Sequence, residues 1–174
     1  MAKEIELRRH TASEGDALTP DGVQAALELG ATLRGGYHVL VSSGAQRATQ
    51  TLACIACALG ERVPGGAVVQ SGLRSKLEDR WRNAYQRAGS GELGALRSAD
   101  PELVRQDSAI LGAALQRVLD SLPEAGRALV VGHSPTNEAA VLGLTGEIVT
   151  PMSKGAGVLL VVEDGEARVE PLGS

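Results

Sequence analysis

The sequence has 174 residues, 43% hydrophobic and 22% charged, which is enough for one domain with a full apolar core. With no phenylalanine, that core has to be built from Leu, Val, Ile and Ala. A net charge of −4 argues against a nucleic-acid-binding surface over the whole protein, so attraction for a phosphate has to come from a local basic cluster. No run of about 18 apolar residues exists, so no membrane span is expected. The opening MAKEIEL lacks the charged-then-apolar order of a signal peptide, which makes the cytoplasm the expected location.

Residues 4–11 read EIELRRHT. Ile5 and Leu7 alternate with Glu4, Glu6 and Arg8, the period-two pattern of a strand, and the strand runs straight into Arg9 and His10. Such an end suits either a site or a solvated strand terminus. Thr19-Pro20-Asp21 then reads as a helix start, with Thr19 as N-cap, Pro20 in the first helical position and Asp21 in the positive first turn. Val23, Ala26, Leu27, Gly30 and Leu33 share one helical face, and Gly35-Gly36 ends the helix.

A second strand over 37–41 leads to Ser42-Ser43-Gly44, and a helix over about 45–59 follows, with Ala48, Leu52, Ile55, Ala56 and Leu59 facing inward. Arg47 falls in its first turn, where a cation is unfavourable against the helix dipole and calls for a negative partner. Its neighbours Gln46 and Thr49 supply none. Cys54 and Cys57, the only cysteines, form a C-x-x-C within this helical pattern rather than at a strand-to-helix turn, and are expected as small buried thiols.

A short strand over 67–70 precedes a change of character at 71–100. That segment carries six basic residues against four acids, so it is locally +2, and it holds the only tryptophan. Leu77, Trp81, Tyr85 and Ala88 recur at helical spacing, and the segment reads as an excursion overhanging a site or as a plain solvated helix. Asp100-Pro101 caps a long helix with Val104, Leu111, Leu115, Val118 and Leu122 as its apolar face, ended by Pro123. Residues 128–131, ALVV, form the continuous apolar run of a central buried strand, ending at Gly132-His133. Ser134-Pro135 opens a helix to about Leu144. Strands over 157–162 and 167–170 flank Asp164-Gly165, a hairpin signal.

This alternation predicts a three-layer α/β/α sandwich with a mostly parallel central sheet and a C-terminal antiparallel hairpin, as one domain over 1–174 with a helical excursion at about 71–100. Ligands bind such sheets beyond the carboxyl ends of the strands, where the first strand puts Arg9 and His10, the second leads to Arg47 and the fourth puts His133. Two of those ends also open helices whose amides can bind an anion. A phosphate pocket is the economical reading.

Four motifs together resemble the histidine phosphatase superfamily, the phosphoglycerate mutase-like fold: L-R-R-H-T at 7–11, L-T-P-D-G-V-Q-A at 18–25, S-S-x-x-x-R-A-x-Q-T at 42–51 and V-V-G-H at 130–133. They occur in that family's order and cover most of the chain outside 71–126. The resemblance implies that His10 is a nucleophile carrying the phosphoryl group, that Arg9 and Arg47 grip its oxygens, and that His133 adds a further donor. It implies no metal and no cofactor, because the arginines supply the positive charge.

Two positions depart from the family pattern. Thr11 stands where the family has glycine, and its side chain either crowds the pocket or adds a phosphate contact. The family's proton-donating acid falls to Glu78, in a poorly matching stretch, with Asp79 as the substitute and a surface ion pair with Arg74 or Arg82 as the plain alternative. The expected activity is a metal-independent phosphatase working through phosphohistidine on a phosphorylated small molecule or a phosphoprotein, with neither nucleic acid nor membrane as partner. The alternatives are a phosphate-binding module without turnover and a phosphoglycerate mutase-type phosphotransferase.

Overall fold

The computed structural model describes all residues, 1–174. In chain order its first half contains β1 (Lys3–Arg9), the small strands β2 (Ser13–Glu14) and β3 (Ala17–Leu18), α1 (Pro20–Thr32), β4 (Val39–Ser42), α2 (Gln46–Leu59) and β5 (Ala67–Val69). Then come α3 (Glu78–Ala88), α4 (Leu93–Ala99), α5 (Pro101–Ser121), β6 (Arg127–Gly132), α6 (Thr136–Thr145), β7 (Gly157–Glu163) and β8 (Glu166–Leu172). Six strands form the middle layer in the order β5-β4-β6-β1-β7-β8. The first four run parallel, and the β7–β8 hairpin adds antiparallel to β1, as expected.

The period-two alternation of the strands divides the core into two layers. On β6, Leu129 and Val131 pack with Ala26 and Leu29 of α1 and Ala48, Leu52 and Ile55 of α2. Ala128 and Val130 face the other way, into the larger cluster with Ile5, Leu7 and the apolar faces of α5 and α6. The expected apolar face of α5 is buried throughout. On β1, Glu6 and Arg8 lie opposite Ile5 and Leu7 and are buried too. They are held as a pair, Arg8 Nε donating to Glu6 Oε2 at 2.6 Å, with the Tyr37 hydroxyl donating to Glu6 Oε1 at 2.9 Å. Mutual pairing is what makes two charges tolerable there.

Helices α5 and α6 approach closely because glycines meet: a Cβ on Gly143 would lie 1.8 Å from the Ser108 carbonyl oxygen and 3.2 Å from Gly112 Cα. Gly143→Ala is therefore expected to destabilise the protein by about 1–3 kcal/mol through overpacking against backbone. Denaturant unfolding checks this, and an unchanged midpoint would contradict the packing.

Several expectations need correction. The buried face of α1 is Gly22, Ala26, Leu29 and Gly30, whereas Val23 is exposed, because the helix docks through Gly22 directly onto the Ala12 carbonyl. Cys57 is exposed, and Cys54 is only half-buried at the margin of the α2 core contact. Tyr85 is 52% exposed rather than inward, because the buried face of α3 is set by Trp81 and Ala84. The excursion holds a second helix, α4, packed through Leu93 and Leu96.

Candidate active site

The parallel register brings three strand ends level. Arg9 lies opposite Gly132 and Ser42 opposite Val131, and the ladder continues beyond the strands. The His10 amide donates to the Gly132 carbonyl at 3.0 Å, and the Ser43 amide to the Val131 carbonyl at 3.2 Å. His10, His133 and Ser43 therefore emerge side by side at the carboxyl end of the sheet.

His10 is buried, and its Nδ1 lies 2.7 Å from the Thr11 carbonyl oxygen. A carbonyl only accepts, so Nδ1 carries the hydrogen and Nε2 of the neutral ring keeps a free lone pair. Burial pushes the imidazole pKa down to about 4, helped by the charges of Arg47, Arg9 and Lys154 and opposed by the Thr11 bond. The His133 ring centroid is 5.6 Å away at a 56° tilt. Its pKa is lowered to about 3, first by burial and then by Arg47, His10 and Arg74, with Asp16 acting against them. His133 Nε2 is 2.6 Å from the Ser43 hydroxyl, which fixes the ring, while its buried Nδ1 has no partner. Two neutral histidines thus face a group of cations.

Arg9 shares the β1 face of Ile5 and Leu7. Its Nη1 donates to the Met152 carbonyl at 3.0 Å, and its buried Nε is unpaired. The Met152 amide in turn donates to Glu138 Oε1 at 2.8 Å, an oxygen that also accepts the Ser134 hydroxyl. Glu138 was not anticipated. It is almost fully buried, and burial raises its pKa.

A carboxyl with a raised folded-state pKa contributes stability that is present below its unfolded value, about 4.3, and lost as pH rises through the raised value. Glu138→Gln keeps a neutral acceptor for both donors. Thermal melting should show the wild type losing stability relative to the glutamine variant as pH rises above about 4.3, the ordinary glutamate value. Parallel curves would contradict it.

Arg47 receives the negative partner that its position calls for, but from 31 residues away: Asp16 Oδ1 accepts Arg47 Nη1 at 2.7 Å. The same carboxylate takes the amides of Gln46 and Arg47, each at 3.3 Å, capping a helix whose own N-cap residue is Ala45. Arg47 and His133 line a cleft whose far wall is α3, with Glu78, Trp81, Arg82 and Tyr85. That wall is anchored by buried Asp107 of α5, whose Oδ2 accepts both the Ser75 hydroxyl and Trp81 Nε1 at 2.6 Å. A second hollow containing Arg9 adjoins it across Tyr85, Ser134 and Pro135.

Two expected roles do not fit. The Thr11 hydroxyl donates to the Gly22 carbonyl at 2.7 Å, so it has no hydrogen left for a phosphate oxygen; it fastens the segment after β1 to α1. Asp79 pairs with Arg82, is 90% exposed and lies off the cleft, so it cannot substitute for Glu78. Glu78 itself is in the cleft, although it also pairs with Arg74 at 2.8 Å. No three His, Cys, Asp or Glu side chains converge as a metal site.

This architecture matches solved structures over nearly the whole chain. The chain superposes on phosphoglycerate mutase from Bacillus anthracis str. Sterne with a TM-score of 0.77 and 19% identity, covering 99% of this chain and 93% of that one. This is the fold of the histidine phosphatase superfamily. Phosphoserine phosphatase from Entamoeba histolytica, in complex with 3-phosphoglyceric acid, matches with a TM-score of 0.74 and 18% identity over 99% of this chain and 98% of that one. The protein histidine phosphatase SixA, complexed with tungstate, matches at 0.62 and 20% over 98% and 96%. No family model and no curated protein matches the sequence. Histidine phosphatase-fold proteins with these names thus include phosphatases and a mutase.

Proposed function

We propose that the protein is a metal-independent phosphatase that works through phosphohistidine on a phosphomonoester or on protein phosphohistidine. The observation that carries this reading is the His10 ring: its Nδ1 is committed to the Thr11 carbonyl, its Nε2 is free, and its pKa is held at about 4 among cations. A neutral imidazole with an available lone pair is what in-line attack on phosphorus requires.

In the first step His10 Nε2 forms a bond to phosphorus and the bond from phosphorus to the leaving atom breaks. Glu78, which lines the cleft together with Arg47 and His133, supplies the proton to a leaving alkoxide in this reading. In the second step water attacks the phosphorus, Glu78 takes its proton, and the N–P bond breaks to release phosphate and neutral His10. Arg9 and Arg47 spread positive charge over the phosphoryl oxygens, a role suited to guanidinium forks, and Arg47 keeps Nε and Nη2 beyond the Nη1 that Asp16 holds. Hydrolysis is favoured over mutase transfer because Glu78 is 41% exposed, leaving water access to the cleft.

The kcat/KM pH profile with an aryl phosphate tests this reading. Corrected for ionisation of the substrate, it reports the free enzyme, and its acid limb should fall around pH 4, where His10 becomes protonated. An acid limb at the ordinary histidine value of about 6.5 would contradict a buried neutral nucleophile.

A further inference from the structure

Asp16 lies outside the central sheet, in the turn between β2 and β3, with Gly15 beside it at φ +59°. The hairpin is fastened to α2 by the Leu18 amide, which donates to Gln50 Oε1 at 2.8 Å. That fastening aims the Asp16 carboxylate at the first turn of α2, where it takes one guanidinium nitrogen and two backbone amides. A cationic fork and helix N-terminal amides are also the donor set suited to a phosphoryl oxygen. Asp16 is 47% exposed and Arg47 only 20%, so the carboxylate sits on the solvent side of the guanidinium. Its charge also reaches His133 and Arg74.

We propose that Asp16 is an internal competitor for the phosphoryl anion on Arg47: it orients the guanidinium through Nη1 while its negative charge weakens the hold on dianionic phosphate, so that the product leaves readily. The inference rests on the phosphatase reading above, because it takes Arg47 as a phosphate ligand. It also separates two effects that one carboxylate combines. The oxygen acceptor fixes Arg47 and caps α2, whereas the charge opposes a second anion nearby.

Asp16→Asn retains the acceptor and removes the charge; Asp16→Ala removes both. Calorimetric titration of each folded protein with inorganic phosphate reads the difference without requiring turnover. The asparagine variant should bind phosphate about tenfold more tightly than the wild type, the scale of one unit charge at a partly exposed site. Its product-inhibition constant should fall by the same factor, and the alanine variant should gain less. Phosphate binding that is unchanged or weaker in Asp16→Asn, with the wild type binding measurably, overturns the competitor role alone. Absence of phosphate binding in all three proteins overturns this inference, whereas the phosphatase reading falls only if the wild type also fails to turn over an aryl phosphate.

Discussion

Replacing His10 by alanine is expected to lower kcat on any phosphorylated substrate by roughly 10⁴-fold or more, the scale on which removing a covalent nucleophile acts. The fold should survive. The ring's hydrogen bond goes only to the carbonyl of the next residue, and the His10 amide still pairs with Gly132. Phosphate should still bind, because Arg9, Arg47 and His133 remain. Steady-state kinetics and a thermal melt check both halves. Full activity in a folded His10→Ala protein would remove His10 from the chemistry, and undiminished phosphate binding without turnover in the wild type would favour a binding module.

Glu78→Gln should divide substrates by their leaving group. An alkyl phosphomonoester releases an alkoxide that needs a proton, and loss of the acid is expected to lower kcat by about 10²–10³. An aryl phosphate or a phosphohistidine releases a more stable leaving group and should lose only a few-fold. The substitution keeps an amide oxygen able to accept from Arg74, so the wall of the cleft should stay in place. Little loss on alkyl substrates would reduce Glu78 to an ion-pair partner of Arg74. A wild type that turns over only phosphoramidates would point to protein phosphohistidine as its substrate class.

The fold was legible because its signals are local. Alternation on β1, the ALVV run of β6, the Thr19 and Asp100 caps and the Asp164-Gly165 turn each depend on neighbouring residues, and each element formed where its residues pointed. The strand-end positions of Arg9, His10 and His133 followed from the same reading, because parallel strands bring their carboxyl ends together.

What remained hidden depends on distance. Asp16 reaches Arg47 across 31 residues, and Ser43 reaches His133 across 90. Glu138 looked like one more charge in a helix and lies buried beneath the loop that holds Arg9. Two signals could have raised these residues earlier: an unexplained acid between two short β-like segments, and a carboxylate on the inward face of an otherwise apolar helix. The direction of the Thr11 hydroxyl was not readable at all, because it is decided by how closely Gly22 allows α1 to approach Ala12.

The measurement that goes to the centre of the account is direct capture of the covalent intermediate. Wild-type and His10→Ala proteins are mixed with an aryl phosphate, quenched without acid, and weighed intact before and after acid treatment. A phosphoryl group is expected on the wild type only, lost in acid as an N–P bond is. Labelling that survives acid, or that persists in His10→Ala, would contradict it.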